Sequence, residues 1–455
     1  MDKPKEACGV FGVYDTGGNV AQATYLALVA LQHRGQESCG IAVNHERNIN
    51  YHKGMGLVTD VFHDRKILDE LQGTMAVGHV LYGSSKEISP ENAQPLVVRR
   101  YIKGNIALAY NGRLTNTKKL EERYEKEGAI YQTTSDAEII AYTIARQRAN
   151  SASIQEALSK SMGILEGAYS IILMSAQKLI AARDMWGFRP LCMGKKGNAY
   201  MFASESCVFD SIGAEYIREL LPGEIVMVEH GEVTSIKDHV GKVPTSLCMF
   251  EHIYFSRPDS VLNNIMVYES RRRTGQILAK DHPCEADVVI GAPDSGLPAA
   301  MGYAQESGIP YAEGFIRNRY IGRTFISHGQ ADRELAIRMK LNPVRSNVEG
   351  KRVVLIDDSL VRGTTCTQIV ALLRKAGAKE VHLKIASPPF LWPCYYGTDI
   401  PNREQLLAYT HTLEQTRELL GADSLSYLGL ERLKELVPNA EYEFCDGCFS
   451  GKFPV

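Results

Sequence analysis

The chain has 455 residues, room for two ordinary domains, and its 44% hydrophobic and 23% charged content suits a protein that buries its own cores. A formal net charge of −2 gives no general attraction for nucleic acid or an anionic membrane. No apolar run approaches the ~18 residues that suggest a membrane span.

The first seven residues, Met-Asp-Lys-Pro-Lys-Glu-Ala, are polar and lack the apolar core of a secretory signal, so the expected setting is cytoplasmic. In that reducing setting the ten cysteines read as ligands, nucleophiles or buried thiols rather than disulfides. Immediately after that segment, Cys8-Gly9-Val10-Phe11-Gly12 is a cysteine leading into a glycine-punctuated strand. Further β-rich runs fall at 107–110, 170–174, 199–203 and 224–228, and helical patterns at 21–32 and 136–148. Strands and helices in separate blocks predict a layered α+β domain up to about residue 240.

Beyond about residue 283 the rhythm changes. Short continuous apolar runs at 288–290, 353–356 and 381–385 predict buried parallel strands. Between the last two, Ile369, Leu372, Leu373 and Ala376 recur at helical spacing, and Gly377 stops the helix. This βαβ pattern predicts a doubly wound parallel sheet with ligands at the C-terminal ends of its strands.

One strand of that sheet ends on Asp357 and Asp358, followed by Ser359, Arg362, Gly363, Thr364 and Thr365 at the start of the helix. Backbone N–H groups at a helix N-terminus, with Ser and Thr hydroxyls and a glycine that admits close approach, make an anion pocket. Carboxylates repel phosphate, so the acidic pair must serve sugar hydroxyls or a hard cation such as Mg²⁺. Near the C-terminus, Cys445 and Cys448 form a C-x2-C pair compatible with zinc, with redox chemistry or with neither; Cys248 and Cys394 complete a four-thiolate set. Cys39, Cys192, Cys207, Cys284 and Cys366 are expected to be buried thiols.

These segments carry a family resemblance. The stretch from Asp357 to Thr365 resembles the phosphoribosyl pyrophosphate signature of type I phosphoribosyltransferases. Gly291-Ala292-Pro293-Asp294-Ser295-Gly296 resembles that family's pyrophosphate loop, and 318–340, ending at Lys340, its flexible basic loop. The resemblance implies that Asp294, Ser295, Asp357, Asp358, Ser359, Arg362, Gly363, Thr364, Thr365 and Lys340 bind phosphoribosyl pyrophosphate, with Mg²⁺ at Ser295, Asp357 and Asp358. In the first half, Cys8, the His33-to-Ser38 segment, Asn111-Gly112 and the Ser135-to-Glu138 segment appear in the order found in N-terminal-nucleophile (Ntn) glutaminases. That implies Cys8 as nucleophile, Asn111 and Gly112 as oxyanion donors, and Arg34 and Asp136 at the glutamine pocket. The α-amino group of Cys8, with a pKa near ~8, could act as base once residues 1–7 are removed.

Together the two halves resemble the amidophosphoribosyltransferases. The resemblance implies an Ntn glutaminase domain with layered α/β-β/α architecture over 8–240. An α/β phosphoribosyltransferase domain with a parallel sheet follows over 241–455. It further implies a [4Fe–4S] cluster at Cys248, Cys394, Cys445 and Cys448, a homotetramer, and inhibition by purine nucleotides.

One departure stands out. The family's Gly-His-Val-Arg-Tyr reads Gly78-His79-Val80-Leu81-Tyr82 here, so the arginine expected to clamp the glutamine α-carboxylate is a leucine. Lys86 or Arg113 could compensate; otherwise the enzyme would use free ammonia. A nucleotide-sensing regulator is the remaining alternative, and it would need a DNA-binding module and a basic face that the sequence lacks. An aminosugar synthase would share the first half without the acidic signature.

Overall fold

A computed structural model describes residues 8–83, 88–99, 104–318, 341–400 and 402–454. The first half is built from two antiparallel sheets. The seven-stranded sheet runs in the order Glu215–Glu219, Cys192–Lys196, Ala199–Ala203, Gly9–Tyr14, Met75–Leu81, Ser38–His45 and Asn48–Met55. The six-stranded sheet runs Glu232–Ile236, Ile225–Glu229, Lys178–Arg183, Gly167–Met174, Ile106–Leu114 and Leu96–Val98.

Side-chain alternation makes these sheets layers. Val10, Ala42 and Val77 face Ala109, Ile172 and Ala181 between the sheets, while Phe11, Val13 and Ile41 face helix Val20–Ala30 on the other side. On the opposite surface, Leu108, Tyr110 and Ile171 pack against Ile139 and Ile140 of helix Asp136–Ala149. The result is the expected α/β-β/α layering. Every strand read from the sequence is present, with ends moved by a few residues; Ser38–His45, Asn48–Met55, Met75–Leu81, Cys192–Lys196 and Glu215–Glu219, which had no distinctive pattern, complete the first sheet.

The second half holds a four-stranded parallel sheet in the order Val288–Gly291, Arg352–Asp357, Glu380–Ile385 and Ser424–Tyr427. Val354 and Ile356 face one core, and Val353 and Leu355 face the other. Helices Val267–Asp281 and Leu297–Ser307 cover the first face and helix Thr364–Lys375 the second. A Cβ at Gly302 would lie 1.8 Å from the Arg272 carbonyl oxygen, so that helix crossing requires glycine. The parallel pairing of Cys248 with Cys445 ties the C-terminal segment to the junction between the halves.

Candidate active sites

The first site is a cavity of ≈ 400 Å³. Cys8, at the start of strand Gly9–Tyr14, lines it together with Leu81, Tyr110, Gly112, Arg113 and Asp136. The Cys8 thiol donates to the Tyr82 carbonyl at 3.5 Å. Asn111 is buried, and neither polar atom of its amide has a hydrogen-bond partner among the described residues. A buried amide left this way is costly unless a ligand completes it, which suits an oxyanion donor. Gly112 has φ of +140° and a Cβ there would meet the Ala168 carbonyl oxygen at 2.1 Å, so only glycine fits.

Asp136 opens helix Asp136–Ala149, with Ser135 as N-cap. Its carboxylate accepts from Tyr110 Oη at 3.1 Å, from the Leu114 N–H at 2.8 Å and from Thr117 Oγ1 at 2.7 Å. Held in that frame it is placed for an ammonium group. Glu121 lies on the same wall, its carboxyl raised above the usual range by burial and then by Asp136 and Glu125. His79 is fully buried and donates from Nε2 to the Tyr110 carbonyl at 3.0 Å; burial pushes its pKa down to about 3, so it is neutral.

Arg34, expected at the glutamine pocket, is fully buried and is not among the side chains that line the cavity. Its Nε donates to the Cys8 carbonyl at 3.2 Å, and its other nitrogens reach Glu205 Oε1 at 2.7 Å and Glu251 Oε1 at 2.8 Å. Burial alone would lower its pKa, but the two carboxylates hold it well above the ordinary value. Burial opposes charge on Glu251 too, yet Arg34 and then Arg189 keep its carboxyl below the usual range. Pattern reading missed Glu205 and Glu251 because a buried ion pair between distant segments leaves no local signature. Gly397 and Asp399, which reach the cavity from the second half, were missed for the same reason.

The second site sits at the C-terminal ends of the parallel strands. Asp357 and Asp358 are buried, and both Asp358 oxygens accept from hydroxyls: Oδ1 from Ser359 Oγ at 2.6 Å and Oδ2 from Ser295 Oγ. Asp357 Oδ1 accepts the Asp358 N–H at 2.9 Å. Gly363, with φ of +84°, caps helix Thr364–Lys375, so Thr364 and Thr365 form its first turn; the N–H groups at a helix N-terminus favour an anion. Arg362 Nη2 donates to Gln405 Oε1 at 3.0 Å, and Asp294 pairs with Arg317. Ser295 thereby links its loop to the acidic pair. Lys340, most of the 318–340 loop, Lys86 and residues 1–7 lie outside the described residues.

Cys248, Cys394, Cys445 and Cys448 line one small cavity with Phe188 and Arg189. Burial raises the pKa of Cys248, Cys445 and Cys448, and each feels other members of the set. Among the described residues no three or more His, Cys, Asp or Glu side chains are arranged as ligands of a metal ion. Of the other cysteines, Cys39, Cys192, Cys207 and Cys366 are buried as expected, whereas Cys284 is half-buried.

Comparison with known proteins finds matches to both halves of the chain. Residues 84–211 match the glutamine amidotransferase domain family and residues 262–386 the phosphoribosyl transferase domain family. The chain is 46% identical to an amidophosphoribosyltransferase of Methanocaldococcus jannaschii, over 98% of each chain. It is 45% identical to that of Bacillus subtilis, over 99% of this chain and 94% of the relative. A solved glutamine phosphoribosylpyrophosphate amidotransferase from B. subtilis, complexed with ADP and GMP, superposes with a TM-score of 0.92 at 45% identity, covering 98% of this chain and 97% of the other. A second, described as the allosteric regulatory enzyme of purine biosynthesis, gives 0.93 at 44% identity, covering 98% and 96%.

Proposed function

The chain belongs to the amidophosphoribosyltransferase family, and from that premise we propose how its residues divide the work between the two sites. The family's reaction converts glutamine, water and phosphoribosyl pyrophosphate to 5-phosphoribosylamine, glutamate and pyrophosphate, the committed step of purine synthesis. The Cys8 thiolate attacks the glutamine side-chain amide, forming a thioester and releasing ammonia, and water then frees glutamate. Its own α-amino group, exposed by removal of residues 1–7, takes the thiol proton. Asn111 Nδ2 and the Gly112 N–H receive the oxyanion, and Asp136 holds the glutamine α-ammonium.

Ammonia then attacks C1 of the ribose as the C1–O bond to pyrophosphate breaks, and the new amine loses a proton. The N–H groups of the first turn at Thr364 and Thr365, with Ser359, Arg362 and Gly363, hold the 5′-phosphate. Asp357 and Asp358 hold the ribose hydroxyls, while the loop of Asp294 and Ser295 faces pyrophosphate and Lys340 adds a cation there. Ser295, Asp357 and Asp358 bring hard oxygens together, a donor set that fits Mg²⁺, which would neutralise charge on the leaving pyrophosphate.

The observation that carries this reading is the cavity that brings together Cys8, Gly112 and Asp136, with the buried, unpartnered Asn111 amide next in the chain to Gly112. The four thiols line one cavity, and a [4Fe–4S] cluster held by them belongs to the same proposal; it would tie the C-terminus to the domain junction without entering catalysis. Domain limits of 8–240 and 241–455, a homotetramer, purine-nucleotide inhibition and a cytoplasmic setting belong to the same proposal. Among the described residues no helix is long and apolar enough to cross a membrane.

Leu81 favours a second reading, in which the phosphoribosyl site runs on free ammonia: an apolar side chain lines the cavity where the family resemblance places a carboxylate clamp. Phosphoribosylamine formation measured with glutamine and with ammonium, for wild type and Cys8→Ala, tests both. Glutamine-dependent synthesis that disappears in Cys8→Ala supports the first; synthesis with ammonium alone supports the second.

A further inference from the structure

A buried chain of charge runs from Cys8 into the second half of the molecule. Arg34 Nε donates to the Cys8 carbonyl at 3.2 Å, while Nη1 and Nη2 clasp the two Glu251 oxygens at 3.0 and 2.8 Å. Glu251 opens the short π-helical turn Glu251–Phe255, and its Oε2 also accepts from Ser256 Oγ at 2.7 Å. On its far side Oε1 accepts from Arg189 Nη1 at 3.4 Å, and Arg189 Nη2 donates to the Tyr396 carbonyl at 2.9 Å. Arg34 and Glu251 have no solvent exposure.

We propose that Glu251 is a positioning residue for ammonia release: from the phosphoribosyltransferase half it fixes the Arg34 guanidinium and, through it, the backbone carbonyl of Cys8. This rests on the reading of Cys8 as nucleophile. Once residues 1–7 are gone, Cys8 is tethered by the chain on one side alone. Its thiol direction then depends on the Cys8–Gly9 peptide plane, and the Arg34 Nε bond fixes that plane. A guanidinium is a rigid planar fork, so clasping its two outer nitrogens sets the direction of Nε. Glu205 holds Nη1 from the glutaminase half, but Glu251 spans both nitrogens and therefore sets the plane. The nucleophile is in this way seated against the other domain.

The test uses the purified full-length protein and its Glu251→Gln, Glu251→Asp and Ser256→Ala variants. Two readouts are taken: the rate of Cys8 alkylation by iodoacetamide, followed on the Cys8 peptide by mass spectrometry, and phosphoribosylamine formation with glutamine or ammonium chloride. Glu251→Gln should slow alkylation and glutamine kcat by about 10-fold or more, leaving glutamine KM and the ammonium-supported rate within about 2-fold. Glu251→Asp should recover part of the loss, and Ser256→Ala, which removes one hydrogen bond, should cost about 2- to 5-fold. Unchanged alkylation in these variants, or an equal loss with both nitrogen donors, overturns the inference. Should Glu251→Gln fail to fold, Ser256→Ala decides by the same criteria. Glutamine-dependent synthesis surviving in Cys8→Ala overturns the nucleophile reading itself; its loss there, with indifferent Glu251 variants, overturns this inference alone.

Discussion

Gly397 lies against the backbone of Gly112: a Cβ on Gly397 would stand 3.1 Å from the Gly112 carbonyl carbon and 3.2 Å from its oxygen. The contact joins the segment carrying Cys394 to the glycine that would donate to the oxyanion, and the stacked rings of Phe188 and Tyr396, 4.1 Å apart, lock the same junction. Gly397 also has φ of +105°, where a side chain is strained. Gly397→Ala should therefore lower stability by about 1–2 kcal/mol, seen as a reduced urea midpoint. By displacing Gly112 it should cut the glutamine-dependent rate by about 10-fold or more and spare the ammonium-supported rate. Equal losses with the two nitrogen donors would place the effect outside the glutamine site.

The acidic pair predicts the opposite split. Asp358 accepts hydroxyl donors on both oxygens, so Asp358→Asn would set an amide donor against Ser295 or Ser359 and remove the charge that suits a cation. Phosphoribosylamine formation should fall by about 100-fold or more with glutamine and with ammonium alike. Hydrolysis of glutamine to glutamate, measured alone, should persist. Asp357→Asn should behave the same way. A variant that lost hydrolysis but kept ammonium-dependent synthesis would contradict the separation of the two sites.

The acidic pair was legible in the sequence because its chemistry is local: a buried strand, two carboxylates, a hydroxyl-rich turn and a helix lie within a short run of chain. Cys8, Asn111-Gly112 and Asp136 were legible as ordered motifs, although only the fold shows that Cys8, Gly112 and Asp136 line one cavity. The pairing of Arg34 with Glu251 and the seating of Gly397 on Gly112 could not be read that way. Each depends on side chains or backbone brought together from opposite halves, and neither periodicity nor spacing encodes such a meeting. At Arg34 local reading identified the segment but not its partners, the buried carboxylates of Glu205 and Glu251.

Two buried histidines set an acid limit on stability. Burial lowers the pKa of His79 and of His252 from 6.5 to about 3. Their unfolded forms bind protons below about 6.5 while the folded forms stay neutral, so the stability is intact above that pH and is lost as pH falls toward 3. Between pH 6 and 5 each should contribute a slope of about 1 kcal/mol per pH unit. Urea midpoints across that window should fall with acidity, and His79→Gln, which keeps a donor for the Tyr110 carbonyl, should flatten the fall. An unchanged slope would mean that His79 titrates freely in the fold.

Leu81 offers the sharpest test of nitrogen source. It closes strand Met75–Leu81, is 7% exposed and lines the cavity with Cys8 and Asp136. In the proposed reading Asp136 takes the ammonium of glutamine, and the α-carboxylate then needs a cation as well; Arg113 and Lys118 line the same cavity. If neither reaches the carboxylate, Leu81→Arg should lower glutamine KM by about 10-fold or more, the worth of a charge-assisted hydrogen bond, with ammonium-supported synthesis unchanged. If Arg113 or Lys118 already holds it, Leu81→Arg should leave KM alone, and Arg113→Ala or Lys118→Ala should raise it by a similar factor. The two outcomes are exclusive because one carboxylate is satisfied in one case and unmet in the other, so steady-state kinetics on three variants separates an intact glutamine pocket from an impaired one.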